Sequence, residues 1–273
     1  MARLVLLYLL WVGVTVSTVV HLQKRIIGGQ TCGQNERQYH VKLSTDADGS
    51  SLHCGGSLVS NQWILTAAHC KYPGMYAVLG VHSGTKQVVE IKDPPVIFTD
   101  KDENNNDRIH DLMLLKLPSP TKIKPVGLPD CKSPQSTPPP KIGDKVQVAG
   151  YGATSAGPNN ELVTGTSDTL QCLDIEVVDC QTLQNSLKTD DPRFYQTIIY
   201  QHWFCAKSPK VDICKGDSGG GVVYKDRIYG VVTFSGARRH AFVEPAAFMK
   251  ICNESYLKWI TQTVGVDAKC CIM

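Results

Sequence analysis

Hydrophobic residues downstream of position 38 occur in short runs that are separated by turn-forming residues. Representative runs cover 39–43, 63–66, 76–79, 87–91, 112–117, 145–149, 221–224 and 228–234. Many short runs with Gly, Pro, Asn and Asp between them are typical of β-sandwiches and β-barrels. The pattern alone therefore predicts an all-β protein.

The only good helical signal lies near the end of the chain. Leu257, Ile260 and Val264 recur at helical spacing after Asn253, which can serve as an N-cap. A proline-rich stretch at 133–140 indicates a linker, near 131–145, between two β-lobes. We thus predict two lobes with one terminal helix and no other long helix.

The first residues of the chain have the pattern of a secretory signal peptide. Arg3 precedes an uncharged apolar stretch at 4–20 with smaller residues near its end. An uncleaved membrane anchor is the alternative, but crossing a bilayer normally takes about 20 apolar residues. The 11 cysteines also favour an oxidising compartment. We expect residues 1–18 to be removed and the protein to be secreted to the extracellular space, with no membrane contact afterwards.

Net charge gives no sign of a charged partner. The formal value is +3, from 28 basic and 25 acidic residues. The first 25 residues contain Arg3, Lys24 and Arg25 and no acid, so their removal leaves 25 basic and 25 acidic residues and a net charge of zero. Without a global field, nucleic acid is not an expected partner.

Three motifs contain residues suited to nucleophilic catalysis. They are LTAAHC at 65–70, DLMLLKL at 111–117 and GDSGG at 216–220. Each has an ordinary structural interpretation when taken alone: a histidine before a cysteine, an acid at a strand edge, and a glycine turn. Together, they supply a serine, a histidine and an aspartate, the residue types that nucleophilic catalysis by a hydroxyl group uses.

These motifs resemble those of the trypsin-like serine proteases of the chymotrypsin fold, and the resemblance runs from Ile26 to about Val264. It implies two six-stranded antiparallel β-barrels with a C-terminal helix, in a peptidase domain over 26–273. It also implies that Ser218 attacks the scissile carbonyl, that His69 takes and returns the proton, and that Asp111 orients the imidazole. A serine hydroxyl needs such a base at neutral pH, and histidine is the side chain best suited to that role. The amides of Gly216 and Ser218 would form the oxyanion hole.

The same resemblance implies a zymogen. Lys24-Arg25-Ile26-Ile27-Gly28-Gly29 would be cleaved after Arg25, so that 19–25 is an activation peptide. The new amino group of Ile26 would then form a buried ion pair with Asp217. A dibasic site in an exposed linker, with no switching role, is the alternative.

The position six residues before the nucleophile forms the floor of the primary specificity pocket in this family, and it is Asp212 here. A carboxylate there would pair with Arg or Lys of a substrate. Alternatively, Asp212 lies in a surface loop and only balances the charge of Lys210 or Lys215 there.

Several residues around this pocket depart from the usual family pattern. Ser235 and Ala246 stand where glycine is usual and would narrow the entrance, and Ile213 is bulkier than the usual small residue. Thr233 and Phe234 precede Ser235 and would still offer an edge for pairing with the substrate backbone.

The cysteines can be assigned by the same resemblance. It implies the four disulfides Cys54–Cys70, Cys32–Cys172, Cys131–Cys252 and Cys180–Cys205. Cys214, Cys270 and Cys271 are left over, so at least one thiol would be free or paired with another chain.

No cofactor or metal is expected, because the loop at 81–89 that binds calcium in some relatives contains no acid here. The expected partners are protein or peptide substrates and protein protease inhibitors, and the protein is expected to be a monomer. The alternatives are a catalytically weak or non-catalytic homologue that acts as a binding protein, and a protease with altered primary specificity.

Overall fold

Two antiparallel β-sheets form the body of the protein, as seen in a computed structural model. The structure describes residues 29–133, 135–153, 157–161, 165–209, 212–214, 216–234 and 241–265. Its strands and helices are numbered below along the chain.

The first sheet has the order β6-β5-β2-β3-β4-β8-β7. Its strands are β2 (His40–Ser44), β3 (Cys54–Leu58), β4 (Trp63–Thr66), β5 (Tyr76–Leu79), β6 (Gln87–Glu90), β7 (Val96–Lys101) and β8 (Asp107–Lys116). Short hairpins pair β3 with β4 and β7 with β8. A 3₁₀ turn at Ala68–Cys70 follows β4 directly.

The second sheet has the order β1-β10-β11-β14-β13-β12-β9, and β10 also pairs with β9. Its strands are β1 (Gln30–Thr31), β9 (Lys145–Gly150), β10 (Gln171–Val178), β11 (Trp203–Lys207), β12 (Gly221–Tyr224), β13 (Arg227–Phe234) and β14 (Ala246–Lys250). The β10–β9 pairing closes six of these strands into a barrel, and the short β1 lies outside it. The predicted all-β class with a C-terminal helix is therefore confirmed.

Strand β10 shows how the sequence produces these sheets. Leu173, Ile175 and Val177 are buried, whereas Asp174 and Glu176 between them are exposed. Because side chains in a strand alternate between the two faces, this sequence places apolar groups inside the barrel and charges outside it.

The sequence-based expectation of a single helix is wrong. Besides α3 (Glu254–Val264), the structure contains α1 (Gln181–Asp190) and α2 (Pro192–Ile198). In α1 only Leu183 is buried, so the helix lacks the continuous apolar stripe that the prediction looked for. Asp191 begins α2 by accepting a hydrogen bond from the Phe194 amide, and a proline follows it at the first helical position.

Helix α3 begins where the sequence predicts. The side chain of Asn253 accepts hydrogen bonds from the amides of Ser255 and Tyr256, and Gly265 ends the helix with φ 73°. Tyr256 and Ile260 are fully buried in the apolar core of the first sheet. None of the helices in the described part of the chain is long and apolar enough to span a membrane.

The two ends of the described chain cross over between the sheets. The N-terminal strand β1 pairs with β10 of the second sheet, while α3, which follows the last strand of the second sheet, packs on the first. The segment between β8 and β9, which includes the predicted linker, contains no named strand or helix among its described residues.

Four disulfides join cysteines of the described residues, and they are the four pairs that the resemblance implies. They join Cys32 to Cys172, Cys54 to Cys70, Cys131 to Cys252 and Cys180 to Cys205. Cys214 is buried, and Cys270 and Cys271 lie outside the described residues.

Candidate active site

His69 lies in the 3₁₀ turn that follows β4, at the edge of the first sheet. The neighbouring Cys70 is fully buried and bonded to Cys54 on β3, which fixes the turn against the sheet. The His69 side chain itself remains 44% exposed. A rigid backbone therefore presents an imidazole that solvent and a substrate can reach.

Asp111 lies on β8 and holds this imidazole through two contacts. Its Oδ2 is 2.9 Å from His69 Nδ1, and its Oδ1 accepts a hydrogen bond from the His69 backbone amide at 2.8 Å. The hydroxyl of Thr233 also donates to Oδ2. Because an ionised carboxylate only accepts hydrogen bonds, Nδ1 carries the proton and Nε2 is left with its lone pair.

The pKa of His69 is raised above its ordinary value. Partial burial of the ring lowers the pKa, but the hydrogen bond that His69 donates to Asp111 and the negative charge of Asp111 together raise it by more. The pair is thus arranged to stabilise an imidazolium, which is the state of a histidine that has taken a proton.

Ser218 comes from the second sheet and meets the first sheet beside this pair. Its carbonyl oxygen accepts a hydrogen bond from the Gly55 amide at 2.7 Å and lies 3.7 Å from Sγ of Cys70. On its other side, the Gly219 amide donates to the carbonyl of Val232 at 2.8 Å. The loop that carries the serine is therefore bonded to both sheets, next to the residue that follows His69.

Two glycines are required by the shape of this loop. Gly216 and Gly219 have φ values of 100° and 80°, which L side chains rarely adopt. A Cβ atom on Gly219 would lie 2.1 Å from the Thr66 hydroxyl oxygen, and one on Gly216 would lie 2.6 Å from Leu52. The Gly-x-Ser-Gly sequence is thus dictated by the backbone as well as by the chemistry.

Asp217, beside the serine, is completely buried. Its carboxylate accepts hydrogen bonds from the amides of Gly152 at 2.8 Å and Cys214 at 3.0 Å. Burial raises the pKa of Asp217 to about 6, with a smaller contribution from the negative charge of Asp212. Two amides are thus insufficient to offset the loss of water around this charge, and a cationic partner would stabilise it.

Asp212 is 8% exposed and forms the second buried carboxylate on this side. It accepts hydrogen bonds from the amides of Phe242 at 2.7 Å and Ile213 at 2.8 Å. Burial raises the pKa of Asp212 as well. Ile213 and Ala246 are each 1% exposed and belong to one apolar cluster. Both residues are larger than the usual family residue at their position, and both side chains are shielded from bulk solvent.

Some predicted site residues cannot be placed. Ser235, Arg25, Ile26, Lys210 and Lys215 lie outside the described residues. Thr233 and Phe234, predicted as a substrate edge, occupy the end of β13, where Thr233 also contacts Asp111. That second contact was not expected from the sequence.

The sequence also missed Gln201, whose side-chain oxygen accepts a hydrogen bond from the Asp111 backbone amide at 3.0 Å. Gln201 is 90 positions away from Asp111 and lies outside every motif. No sequence signal could have found it.

One group of potential metal ligands occurs among the described residues: Cys54, His69 and Cys70. The two cysteines are bonded to each other. Metal binding requires thiolates, so this group does not fit a metal ion.

Comparison with known proteins settles the family. The family model for trypsin matches residues 26–260. The chain belongs to the trypsin family. Rat cationic trypsin-3 is 33% identical over 259 residues, which cover 89% of this chain and 91% of that protein. Human kallikrein-8 is 30% identical over 258 residues, covering 89% and 88% of the two chains.

A solved structure agrees with this assignment to the trypsin family. Neuropsin, described as a serine protease expressed in the limbic system of mouse brain, superposes with a TM-score of 0.66. It is 28% identical and covers 86% of this chain and 98% of its own. The protein is accordingly a trypsin-family serine protease, a class that acts on protein substrates, and its four disulfides suit the extracellular setting in which trypsins generally work.

Proposed function

We propose that this protein is a secreted serine endopeptidase that is made as a zymogen and hydrolyses peptide bonds after Arg or Lys. One observation carries the proposal: His69 Nδ1 lies 2.9 Å from the Asp111 carboxylate while the loop of Ser218 is bonded to the same edge. Few structural roles require an imidazole in this tautomer, half exposed, at the meeting line of two sheets.

In the acylation step, Ser218 Oγ attacks the carbonyl carbon of the scissile bond. His69 Nε2 takes the hydroxyl proton as the C–O bond forms, and Asp111 stabilises the resulting imidazolium. The same proton then passes from Nε2 to the leaving amine as the C–N bond breaks. An acyl group remains on Ser218.

In the deacylation step, water replaces the amine and the roles repeat. His69 takes a proton from the water as its oxygen attacks the ester carbonyl, and returns that proton to Ser218 Oγ. In both steps the amides of Gly216 and Ser218 would stabilise the negative charge on the carbonyl oxygen, where one such donor is worth about 3–4 kcal/mol. The positive φ at Gly216 supports this role because it turns the loop sharply before Ser218.

The zymogen switch rests on Asp217. This carboxylate is buried with two amides and no described cation beside it. Cleavage after Arg25 would supply the amino group of Ile26, and loss of one partner from a buried ion pair costs about 3–5 kcal/mol. Because Asp217 lies between Gly216 and Ser218, an ion pair of Asp217 with the Ile26 amino group would fix the two amides that form the oxyanion hole.

The preference for Arg or Lys rests on Asp212. A buried carboxylate with a raised pKa gains most from a cation that enters its pocket. Burial of Ile213 and Ala246 in the same region favours a slim side chain. The variant Ala246→Gly should therefore raise kcat/KM for Arg substrates relative to Lys substrates about tenfold, the usual scale for one methyl group in a pocket. Ala247→Gly on the opposite face of the strand is the control; an unchanged Arg/Lys ratio in Ala246→Gly would remove this residue from the pocket.

The main test uses the secreted precursor, cleaved after Arg25 by an added trypsin-like protease that is then removed. Peptide substrates ending in Arg, Lys, Tyr or Ala are compared. We expect turnover of the Arg and Lys substrates only, its loss in Ser218→Ala, and its retention in the exposed-loop control Ser50→Ala. A precursor with Arg25→Gln should stay inactive.

The alternatives give different outcomes in this same test. A non-catalytic binding protein would turn over none of the substrates and would show no difference between the wild type and Ser218→Ala. A protease with altered primary specificity would turn over Tyr or Ala substrates in a Ser218-dependent way, and it would remove Asp212 from its assigned role.

A further inference from the structure

The strand that carries Asp111 is irregular at this residue. On one side, the pairing of β8 with β4 ends at Met113, opposite Thr66. On the other side, the register with β7 jumps from Met113–Ile97 to Ile109–Thr99. Within the described sheet, residues 110–112 thus have no register partner on either side.

An unpaired stretch of strand leaves backbone groups that need other partners. Gln201 provides one of them, because its Oε1 accepts the Asp111 amide hydrogen at 3.0 Å. Tyr200 provides a contact just before this stretch, since its hydroxyl donates to the carbonyl of Ile109, the last residue that pairs with β7 there. Two consecutive residues of one loop therefore form side-chain hydrogen bonds with the backbone of β8 at or near Asp111.

The loop that carries these two residues is itself held in place. It follows α2, and the Gln201 amide donates to the Ile198 carbonyl at the end of that helix at 3.0 Å. The Tyr200 ring packs edge-on against His110 at 5.0 Å and lies 4.8 Å from the Arg108 guanidinium. The disulfide from Cys180 to Cys205 anchors the helical segment to the second sheet.

We propose that Gln201 is a positioning residue that fixes the backbone of Asp111 and thereby the direction of its carboxylate toward His69. This inference rests on the proposed triad function. The carboxylate is bonded by His69 and Thr233 at one end, while Gln201 restrains the peptide group at the other end. Without Gln201 the peptide at the irregularity would bind water and could rotate, which would loosen the contact with His69.

The test compares Gln201→Met with Gln62→Met. Gln62 is a matched control because it is also half-buried and its side chain donates to the backbone of Leu117, one residue beyond the other end of β8. Each variant loses one hydrogen bond between a glutamine side chain and the backbone of β8 or of the residue that follows it. The full-length precursor is activated after Arg25 in every case.

We expect Gln201→Met to lower kcat about tenfold with KM changed less than about twofold, because misplacement of a catalytic group slows chemistry more than it weakens binding. Gln62→Met should leave both parameters unchanged. Gln201→Glu keeps an acceptor oxygen and should retain kcat within about threefold of the wild type.

The second readout is the pKa of His69, measured by NMR titration, with its signal identified by its absence in His69→Gln. Since Asp111 raises this pKa, Gln201→Met should lower it, and Gln62→Met should not. Equal kcat and equal His69 pKa in the two methionine variants would overturn the proposal. If the wild type turns over no substrate, the proposed function is lost, whereas the titration still decides whether Gln201 positions Asp111.

Discussion

The two sides of the active site are held in different ways. On the first-sheet side, His69 and Asp111 are positioned by side-chain hydrogen bonds, and the histidine is half exposed. On the second-sheet side, the loop of Ser218 is positioned by backbone amides and by glycines, and Asp217 is completely buried. The first-sheet side supplies the base that takes and returns the proton and the carboxylate that stabilises it, whereas the second-sheet side supplies the nucleophile on a backbone of fixed geometry. Apart from changes to Ser218 itself, substitutions should therefore alter catalysis on the first side and folding on the second.

The largest effect is expected for Asp111→Asn. Its amide can still accept from Thr233 or from His69 but carries no charge to stabilise the imidazolium, and the same change in a serine-protease triad lowers kcat about 10⁴-fold. Urea unfolding should show little change, since Asp111 is only partly buried. Kinetics with an Arg substrate and a urea titration check both parts; Asp93→Asn on the surface is the control. A large loss of stability with a small loss of kcat would break the comparison.

Gly219→Ala tests the second-sheet side. The added methyl group would lie 2.1 Å from the Thr66 hydroxyl and 2.5 Å from the Gly55 carbonyl, at a φ of 80°. Strain and overpacking together should lower the free energy of unfolding by about 3–4 kcal/mol. Gly143→Ala has a similar φ of 90° and no neighbour within 4 Å, so it isolates the conformational cost. Equal losses in the two variants would show that crowding at the loop is unimportant.

Asp217 gives the precursor an unusual pH dependence. Its folded pKa of about 6 lies above the ordinary 3.8, so the folded chain binds this proton more tightly than the unfolded chain. This contribution to stability is complete below about pH 4 and is lost as the pH rises through about 6. Relative to Asp217→Asn, the wild-type precursor should lose up to about 3 kcal/mol between about pH 4 and about pH 8.

Urea titrations of the uncleaved precursor at both pH values measure this difference. The exposed Asp174→Asn serves as the control for the removal of a surface carboxylate. After cleavage the difference should shrink, because the amino group of Ile26 would stabilise the ionised carboxylate. A difference of the same size before and after cleavage would argue against the ion pair.

A smaller effect is expected for His40, which packs where the two sides meet. It is 8% exposed, its Nε2 has no hydrogen-bond partner among the described residues, and its Cε1 would lie 3.2 Å from a Cβ atom on Gly55. Burial lowers the pKa of His40 to about 3, with smaller contributions from the charges of Arg37 and His82. Stability is therefore present above the ordinary pKa of 6.5 and is lost as the pH falls toward 3.

Relative to His40→Gln, the free energy of unfolding of the wild type should be lower at about pH 5 than at about pH 7 by about 2 kcal/mol. The exposed His202→Gln controls for the general effect of removing an imidazole, because His202 is not among the groups that shift the pKa of His40. Identical pH profiles in His40→Gln and the wild type would mean that the ring finds a partner when it is protonated.

The candidate site residues that can be found in the sequence are those whose chemistry or backbone demands a motif. Small residues that a turn needs precede His69 and follow Ser218, so both sites can be recognised from neighbouring residues in the sequence. The strands were predictable where hydrophobic residues run together, as in β4, β5 and β12. The beginning of β8 was missed because Asp107, Arg108 and His110 are polar and form the strand through pairing with β7.

The parts that were missed depend on contacts between distant residues. Helix α1 is mostly solvated, so its helical spacing is weak, and the disulfide at Cys180 rather than a broad apolar face attaches it. Gln201 is an ordinary glutamine until the irregularity in β8 presents an unpaired amide to it. Such roles arise from the folded arrangement and leave no local pattern in the chain.

The crossing of the two chain ends has a consequence for how the protein is made. Tyr256, near the end of the chain, is buried in a core that the first sheet shares with residues of the second sheet such as Val231 and Met249. Its hydroxyl is also bonded to His110, beside Asp111, at 2.6 Å. During synthesis the core of the first sheet therefore stays incomplete until the last helix has left the ribosome. A premature stop before α3 would not merely shorten the protein; it would leave the nascent amino-terminal lobe as a target for chaperones and degradation.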